Sequence, residues 1–323
     1  MKTIGILYAV CFSLRYDSEK TKEVEWFNQA REYGFAMAQY NLGLLYHNGF
    51  GVDRDIVQAY HYYRKAADKE YEQAVIALKG IVKELEEVAN QGNLYALLFL
   101  GDLYRKGTYI DKDLSKAFTN YEKAANKNHY YAQCIIGYMY EDGLGIKKDL
   151  EKAFLWYEKS AKQDYAPSQH YIALMYYYGD GIEKNYSKAY EWCKKAAEQN
   201  YPYSLGFLGD MFYYGTGTEK DLKKAFEYYE KAASEDITKA QTSLADMYYD
   251  GEGIEKNYKK AFEYYKKAAK KDDAYAQYSL GFMFEHGQGV EKNINKAKEW
   301  YEKAAKQNYE SAEKALNEMK NKN

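Results

Sequence analysis

The residues able to do chemistry in this 323-residue chain are few in kind and scattered in position. Five histidines (His47, His61, His129, His170 and His286) stand far apart, and none is spaced i, i+4 from another ligand, so a metal centre has no nucleus here. His47 and His170 fall on an outward helical stripe described below and read as contact residues. Cys11, Cys134 and Cys193 make an odd count with no short repeated spacing, which argues against a disulfide framework or a four-ligand zinc site. The three cysteines fit a reducing compartment, and Cys134 and Cys193 read as small packing residues. No Ser or Cys stands beside a base that could activate it. Recurrent glycine pairs look like phosphate loops, yet a dinucleotide fingerprint needs a preceding strand and a third glycine opening a helix. Glu191/Lys195, Glu227/Lys231, Glu263/Lys267 and Glu299/Lys303 are i, i+4 pairs in the favourable order; their regularity marks a solvated face, not an acid/base pair. The expectation is a chain that is not an enzyme and takes no cofactor and no metal. What remains is tyrosine, 40 against 13 Phe and 4 Trp. A phenol combines a large apolar ring with a hydroxyl, and its face attracts Lys or Arg, so the chemistry on offer is recognition.

The elements that must position these side chains follow from composition and periodicity. Charged residues are 29% and hydrophobic residues 46%, with 46 Lys+Arg against 48 Asp+Glu, which suits a soluble core-forming chain and excludes collagen and disorder. Only two prolines occur, so long helices are permitted. The longest early apolar stretch, Thr3 to Leu14, falls short of the roughly 20 residues that span a bilayer.

Self-similarity then decides the architecture. An aliphatic-small pair recurs every 36 residues at Leu100-Gly101, Ile136-Gly137, Ile172-Ala173, Leu208-Gly209, Leu244-Ala245 and Leu280-Gly281. A small residue precedes each by four (Ala96, Ala132, Ser168, Ser204, Ala240, Ala276), and an aromatic follows by four (Tyr104, Tyr140, Tyr176, Phe212, Tyr248, Phe284). That spacing draws one helical face. A copy with Ala38, Leu42, Gly43 and Tyr46 precedes them. Glycine pairs such as Gly143/Gly145 and Gly215/Gly217 end the first helix. Asp55, Asp113, Asp149, Asn185, Asp221, Asn257 and Asn293 are placed to cap the second. Each copy is therefore helix, loop, helix, and only stacked copies bury the apolar face.

The expected organisation is one solenoid over 1–323. Residues 1–34 read as a truncated repeat or a signal segment, with Ile4-Gly5-Ile6-Leu7-Tyr8 matching Leu42-Gly43-Leu44-Leu45-Tyr46. A full repeat occupies 35–73, a shortened one 74–92, six full repeats 93–310, and a capping helix 311–323. In the shortened copy the glycine loop is missing, so Ile81 to Gly92 is expected to form a shortened second helix with a local kink. In the next copy Tyr109 stands where the second glycine belongs.

The pattern Ala-x-x-x-Leu-Gly-x-x-Tyr-x-x-Gly-x-Gly, with second helices such as Lys260-Ala261-Phe262-Glu263-Tyr264-Tyr265-Lys266-Lys267-Ala268-Ala269, resembles the Sel-one-like repeat family, a relative of the tetratricopeptide repeats. The resemblance covers nearly the whole chain. It implies an all-α, right-handed α/α superhelical solenoid acting as an adaptor in protein complexes, with the first helices lining a concave groove. Some bacterial members of the family are secreted and carry a disulfide in each repeat, pairs this sequence lacks. A cytoplasmic location is expected, or a periplasmic or secreted one if residues 1–15 act as a signal peptide.

Turning about 100° per residue, the non-constant positions of the first helix form a second stripe. It holds Tyr131, Tyr138, Tyr177, Tyr178, Tyr203, Tyr213, Tyr214, Tyr249, Tyr275, Tyr278 and Phe282, with Glu141, Asp142, Asp210, Asp246, Asp250 and Glu285 against Lys239 alone. These residues are the candidate partner site. The partner expected is a protein or peptide, basic or Arg-containing, held by tyrosine rings and carboxylates. An exported factor acting at the envelope or on host proteins is the alternative. An RNA-binding repeat is disfavoured because an acidic stripe repels phosphates, and no nucleic acid is expected. The partner's identity and the oligomeric state are not legible.

Overall fold

The computed structural model describes residues 35–321, so the expectations for residues 1–34 lie outside the described residues. Among the described residues there are sixteen α-helices and no strand. They fall into two compact units that meet between Asp149 and Leu150 in the sequence. The first unit contains α1 (Ala36–Asn48), α2 (Ile56–Ala67), α3 (Glu72–Asn90), α4 (Leu94–Lys106), α5 (Leu114–Asn126) and α6 (Tyr130–Asp142). The second contains α7 (Leu150–Ala161), α8 (Ala166–Tyr178), α9 (Tyr186–Glu198), α10 (Pro202–Tyr214), α11 (Leu222–Ser234), α12 (Thr238–Asp250), α13 (Tyr258–Ala269), α14 (Ala274–His286), α15 (Ile294–Ala305) and α16 (Glu310–Asn321). Within each unit, helices pack chiefly against their neighbours in the chain.

Local chemistry sets the boundaries. Asp55, Asp113, Asn185, Asp221, Asn257 and Asn293 accept backbone N–H bonds with their side chains at the start of second helices. Each capping residue also donates its own N–H to the carbonyl of the aromatic in the preceding first helix, as in Asp221 to Phe212 at 2.9 Å. The cap thus ties the loop down as well as starting the helix. Pro167 and Pro202 both lie in the first turn of their helices, where a missing N–H leaves no bond unmade.

The glycine loops are tight because they touch the neighbouring repeat. A Cβ on Gly217 (φ +74°) would fall 2.2 Å from the carbonyl oxygen of Tyr186, the first residue of the preceding second helix. This explains Tyr109. The preceding repeat is the shortened one, and its two helices are fused into the single 19-residue α3, contrary to the expected short second helix and kink. With no glycine pair and no capping Asp, nothing stops the helix between Ala74 and Ala89, and its buried face simply continues through Leu78, Ile81 and Leu85. Position 109 consequently meets the C-terminal turn of α2, where the Tyr109 hydroxyl donates to Asp68 at 2.8 Å. Two departures in the sequence are one structural event.

Aromatic packing joins the repeats. The constant aromatics stand edge-on to a ring of the preceding second helix: Phe118–Tyr140, Phe154–Tyr176, Tyr190–Phe212, Phe226–Tyr248 and Phe262–Phe284, all at 84–90°. Such pairs add about 0.5–1.5 kcal/mol each beyond area burial. On the outer side of the second helices, the expected Glu/Lys pairing gives way to another contact. Lys195, Lys231, Lys267 and Lys303 lie over Trp192, Tyr228, Tyr264 and Trp300, with Nζ 4.0–5.6 Å from the ring centres. A ring three residues back offers a broader and less hydrated partner than an exposed glutamate.

The turn from each second helix to the next helix carries a residue at φ near +60° that is not glycine: Glu70, Asn128, Asp164, Asn200, Asp236, Asp272 and Asn308. A buried glutamine holds several of them, as Gln133 donates to Asn128 at 3.1 Å and Gln241 to Asp236 at 3.0 Å.

Candidate functional site

In most hairpins the second helix presses one large side chain beneath the small residue of the first. Under Gly101, Gly209 and Gly281 this is the ring of Tyr121, Tyr229 and Tyr301. Burial pushes all three phenols far above their ordinary range, so they stay protonated and donate. Their acceptors are carboxylates of the first helix: Tyr121 to Asp102 at 2.7 Å, Tyr229 to Asp210 at 2.7 Å, Tyr301 to Glu285 at 2.8 Å, and in the same way Tyr265 to Asp246 at 2.5 Å. Three of the four carboxylates belong to the expected acidic stripe, and the stripe is therefore partly committed to the chain's own tyrosines. Asp102, overlooked in the sequence reading, occupies the register of Asp210 and Asp246, and that shared position is the signal that could have found it.

Each aspartate has a further partner on the following first helix, and Asp102 also takes Arg105 of its own helix at 3.3 Å. Tyr131 donates to Asp102 at 3.2 Å and Tyr275 to Asp246 at 2.7 Å, both from the following first helix. At Asp210 the corresponding residue is Lys239, whose Nζ lies 2.5 Å from Oδ2. Burial raises Asp246 above the usual carboxylate range, while the two tyrosine bonds hold it back. For Lys239, burial works against the charge, but the bond to Asp210 prevails and leaves the ammonium above its ordinary value.

The remaining stripe residues sort by surroundings. Tyr138, Glu141 and Asp142 lie with Tyr131 in the first unit, where Asp142 pushes the Tyr138 phenol up. In the second unit, Tyr177 packs on Tyr178 and Phe207, and Tyr213 on Tyr214. The Tyr213 hydroxyl donates to Glu252, and that of Tyr249 to Gln288 at 2.6 Å, each in the glycine loop of the next repeat. Tyr278 lies against Tyr301, and Phe282 stacks on His286. Asp142 and Asp250 are exposed. Tyr178, Tyr203 and Tyr214 are the most open, at 59%, 57% and 68% exposure.

One cavity of about 410 Å³ gathers part of the stripe in the second unit. Tyr178, Tyr203, Phe207, Asp210 and Lys239 line it, together with His170, Leu174 and Gly206. In the hairpin that forms one wall, Cys193 stands where the other hairpins hold their buried tyrosine, and Leu174 lines the cavity at the register of Asp102 and Asp210. Gly206 lies inside α10, and a Cβ there would meet only Ala232 Cβ at 3.7 Å. Neither backbone conformation nor crowding requires that glycine, and it weakens the helix by about 0.8–1 kcal/mol relative to alanine.

Beside the cavity the sequence reading needs correction. His170 is buried rather than a contact residue, its Nδ1 2.9 Å from Ser204 Oγ among the rings of Tyr201, Tyr203 and Phe207. Burial holds its imidazole down to about 4, so it is neutral at pH 7. His47, half-buried, bridges Tyr63 and Glu84. Cys193 is fully buried, its thiol pushed well up and donating to the Ser204 carbonyl at 3.3 Å. Among the described residues no cluster of His, Cys, Asp or Glu could hold a metal ion, and no helix is long and apolar enough to cross a membrane.

The model of the Sel1 repeat matches residues 36–71, 94–129, 131–165, 166–201, 202–236, 238–273 and 274–309. Among solved structures, a protective antigen of uropathogenic Escherichia coli strains displaying an SLR fold is 32% identical, with a TM-score of 0.66 over 90% of this chain. The chain spans 58% of that protein's length. A Sel1 repeat protein from Oxalobacter formigenes is 30% identical, with a TM-score of 0.65, 94% of this chain covered and 82% of the other. No curated protein matches the sequence.

Proposed function

Since this chain belongs to the Sel1 repeat family, whose members generally mediate protein–protein interactions and are generally non-catalytic, we propose that it is a scaffold that captures a segment of a partner protein. Capture takes place on the first-helix face of the second unit. The observation that carries this reading is the cluster of Tyr178, Tyr203 and Tyr214, large rings left open beside a cavity while most other tyrosines are packed or bonded within the repeats. Exposed aromatic anchors around a concavity suit the centre of a protein interface. The partner segment is basic, because the face carries Asp210, Asp246, Asp250 and Glu285 against Lys239 on Asp210 and Lys220 over the Tyr213 ring. A protein rather than a nucleic acid is the partner, and the cytoplasm is the place of action.

Affinity purification from the source cells, with mass spectrometry, tests the proposal. The triple variant Tyr178→Ala, Tyr203→Ala, Tyr214→Ala is expected to lose its captured proteins while melting as the wild type does, because these rings are exposed. An unchanged capture profile refutes the proposed face. Salt-sensitive retention on heparin or DNA would refute the protein assignment.

A further inference from the structure

We infer that the cavity at Gly206 is an arginine pocket, and that Lys239 occupies its charge site until a partner's guanidinium displaces it. The inference rests on the proposed protein-binding face and names the residue that face selects.

Three observations converge. The first is the glycine. The equivalent positions of other first helices hold Leu98, Cys134, His170, Thr242 and Tyr278, so side chains are accepted there, and Gly206 itself has room for one. Space is kept at the expense of helix stability, with nothing in the fold that needs it. The second is the charge. Asp210 is bonded on Oδ1 by the buried Tyr229, which fixes the carboxylate, and on Oδ2 by Lys239. In the sister sites the second bond comes from a tyrosine hydroxyl. Asp102 also takes Arg105 of its own helix at 3.3 Å, but at Asp210 alone of the three the residue reaching across from the following first helix is a cation, on a side chain that is 75% exposed and able to swing away. Asp210 itself is only 14% exposed, so its charge would need another cation once Lys239 leaves. The third is the lining. Tyr178, Tyr203 and Phe207 line the cavity with aromatic rings, and the neutral His170 adds no competing charge. A guanidinium is planar, weakly hydrated and stacks on rings, whereas an ammonium keeps a tight water shell, so the lining favours arginine over lysine.

The test pans a random dodecapeptide display library against the whole protein and sequences the captured peptides. Enrichment of arginine over lysine is expected. A fluorescent copy of the leading peptide should lose at least tenfold in affinity on Gly206→Phe and on Asp210→Asn. It should gain threefold or more on Lys239→Ala, which removes the resident competitor. Replacement of its arginine by citrulline should abolish the difference between Asp210→Asn and wild type. Gly206→Leu provides a smaller filling group, and thermal melting of each variant confirms that the fold is kept. Captured peptides without a cation preference, or ones whose affinity Gly206→Phe and Gly206→Leu leave unchanged, overturn the pocket. If such peptides still depend on Tyr178 and Tyr214, the proposed face survives and only the pocket fails. If they depend on neither, or none is captured, both fail.

Discussion

Acidification should loosen the second unit through His170. Its imidazole, ordinarily near 6.5, is held down to about 4 by burial among Tyr201, Tyr203 and Phe207. Unfolding returns it to water and to its ordinary value. Between about pH 6.5 and about pH 4 the unfolded chain therefore takes up a proton that the folded chain refuses. The contribution is intact above about 6.5, declines as pH falls, and is gone below about 4. At about 1.4 kcal/mol per unit of pH, the loss over this window reaches a ceiling of about 3.5 kcal/mol. At pH 4 the folded imidazole is itself about half protonated, which brings the drop reached there to about 2–3 kcal/mol. Urea unfolding followed by circular dichroism at several pH values measures it. Many carboxylates titrate in the same range, so the comparison is with His170→Asn, which can still bond Ser204 but carries no titrating group. The stability advantage of wild type over the variant should fall by about 2–3 kcal/mol between pH 7.5 and pH 4. Parallel profiles, within about 0.5 kcal/mol, would refute the argument from burial.

Four further outcomes follow from the packing. Tyr229→Phe keeps the ring under Gly209 but removes the hydroxyl that Asp210 accepts, and should cost about 1.5–3 kcal/mol by urea titration. Gly217→Ala should cost more than about 2 kcal/mol, because its Cβ collides with the Tyr186 carbonyl at φ +74°. Tyr109→Ala should cost less than about 1.5 kcal/mol, since position 109 meets only the end of α2. Cys193, fully buried with its thiol pushed up, should resist a thiol-specific reagent in the native state and react promptly in denaturant, as mass spectrometry of the labelled peptide would report.

The repeats, their helices and their caps could be read from the sequence because each is a local matter. A small residue, an aliphatic and an aromatic at i, i+4 and i+8 can only be a helix face, and an Asp or Asn ahead of a helix has one evident use. The left-handed turns at Asn128 and its equivalents were not legible, because Asn and Asp also serve as caps and only the partner glutamine tells the two apart. The tyrosine–carboxylate pairs were hidden for another reason. Tyr229 and Asp210 lie 19 residues apart, on different helices, and meet only when the hairpin closes in its native register. His170 lay on the stripe by angle, yet Ser204, Tyr201, Tyr203 and Phe207 at the next first helix close over the imidazole and bury it. Helical angle alone cannot report what the neighbouring helix lays over a side chain.

The fused helix α3 also bears on how the array comes apart. A hairpin with its own loop can open while those beside it stay closed, so most of this chain should exchange its amide hydrogens in small separate blocks. The segment Glu72–Asn90 has no hinge at which to divide, and its buried leucines engage the helices on both sides. It acts as a splint, obliging the hairpins on either side of it to melt together.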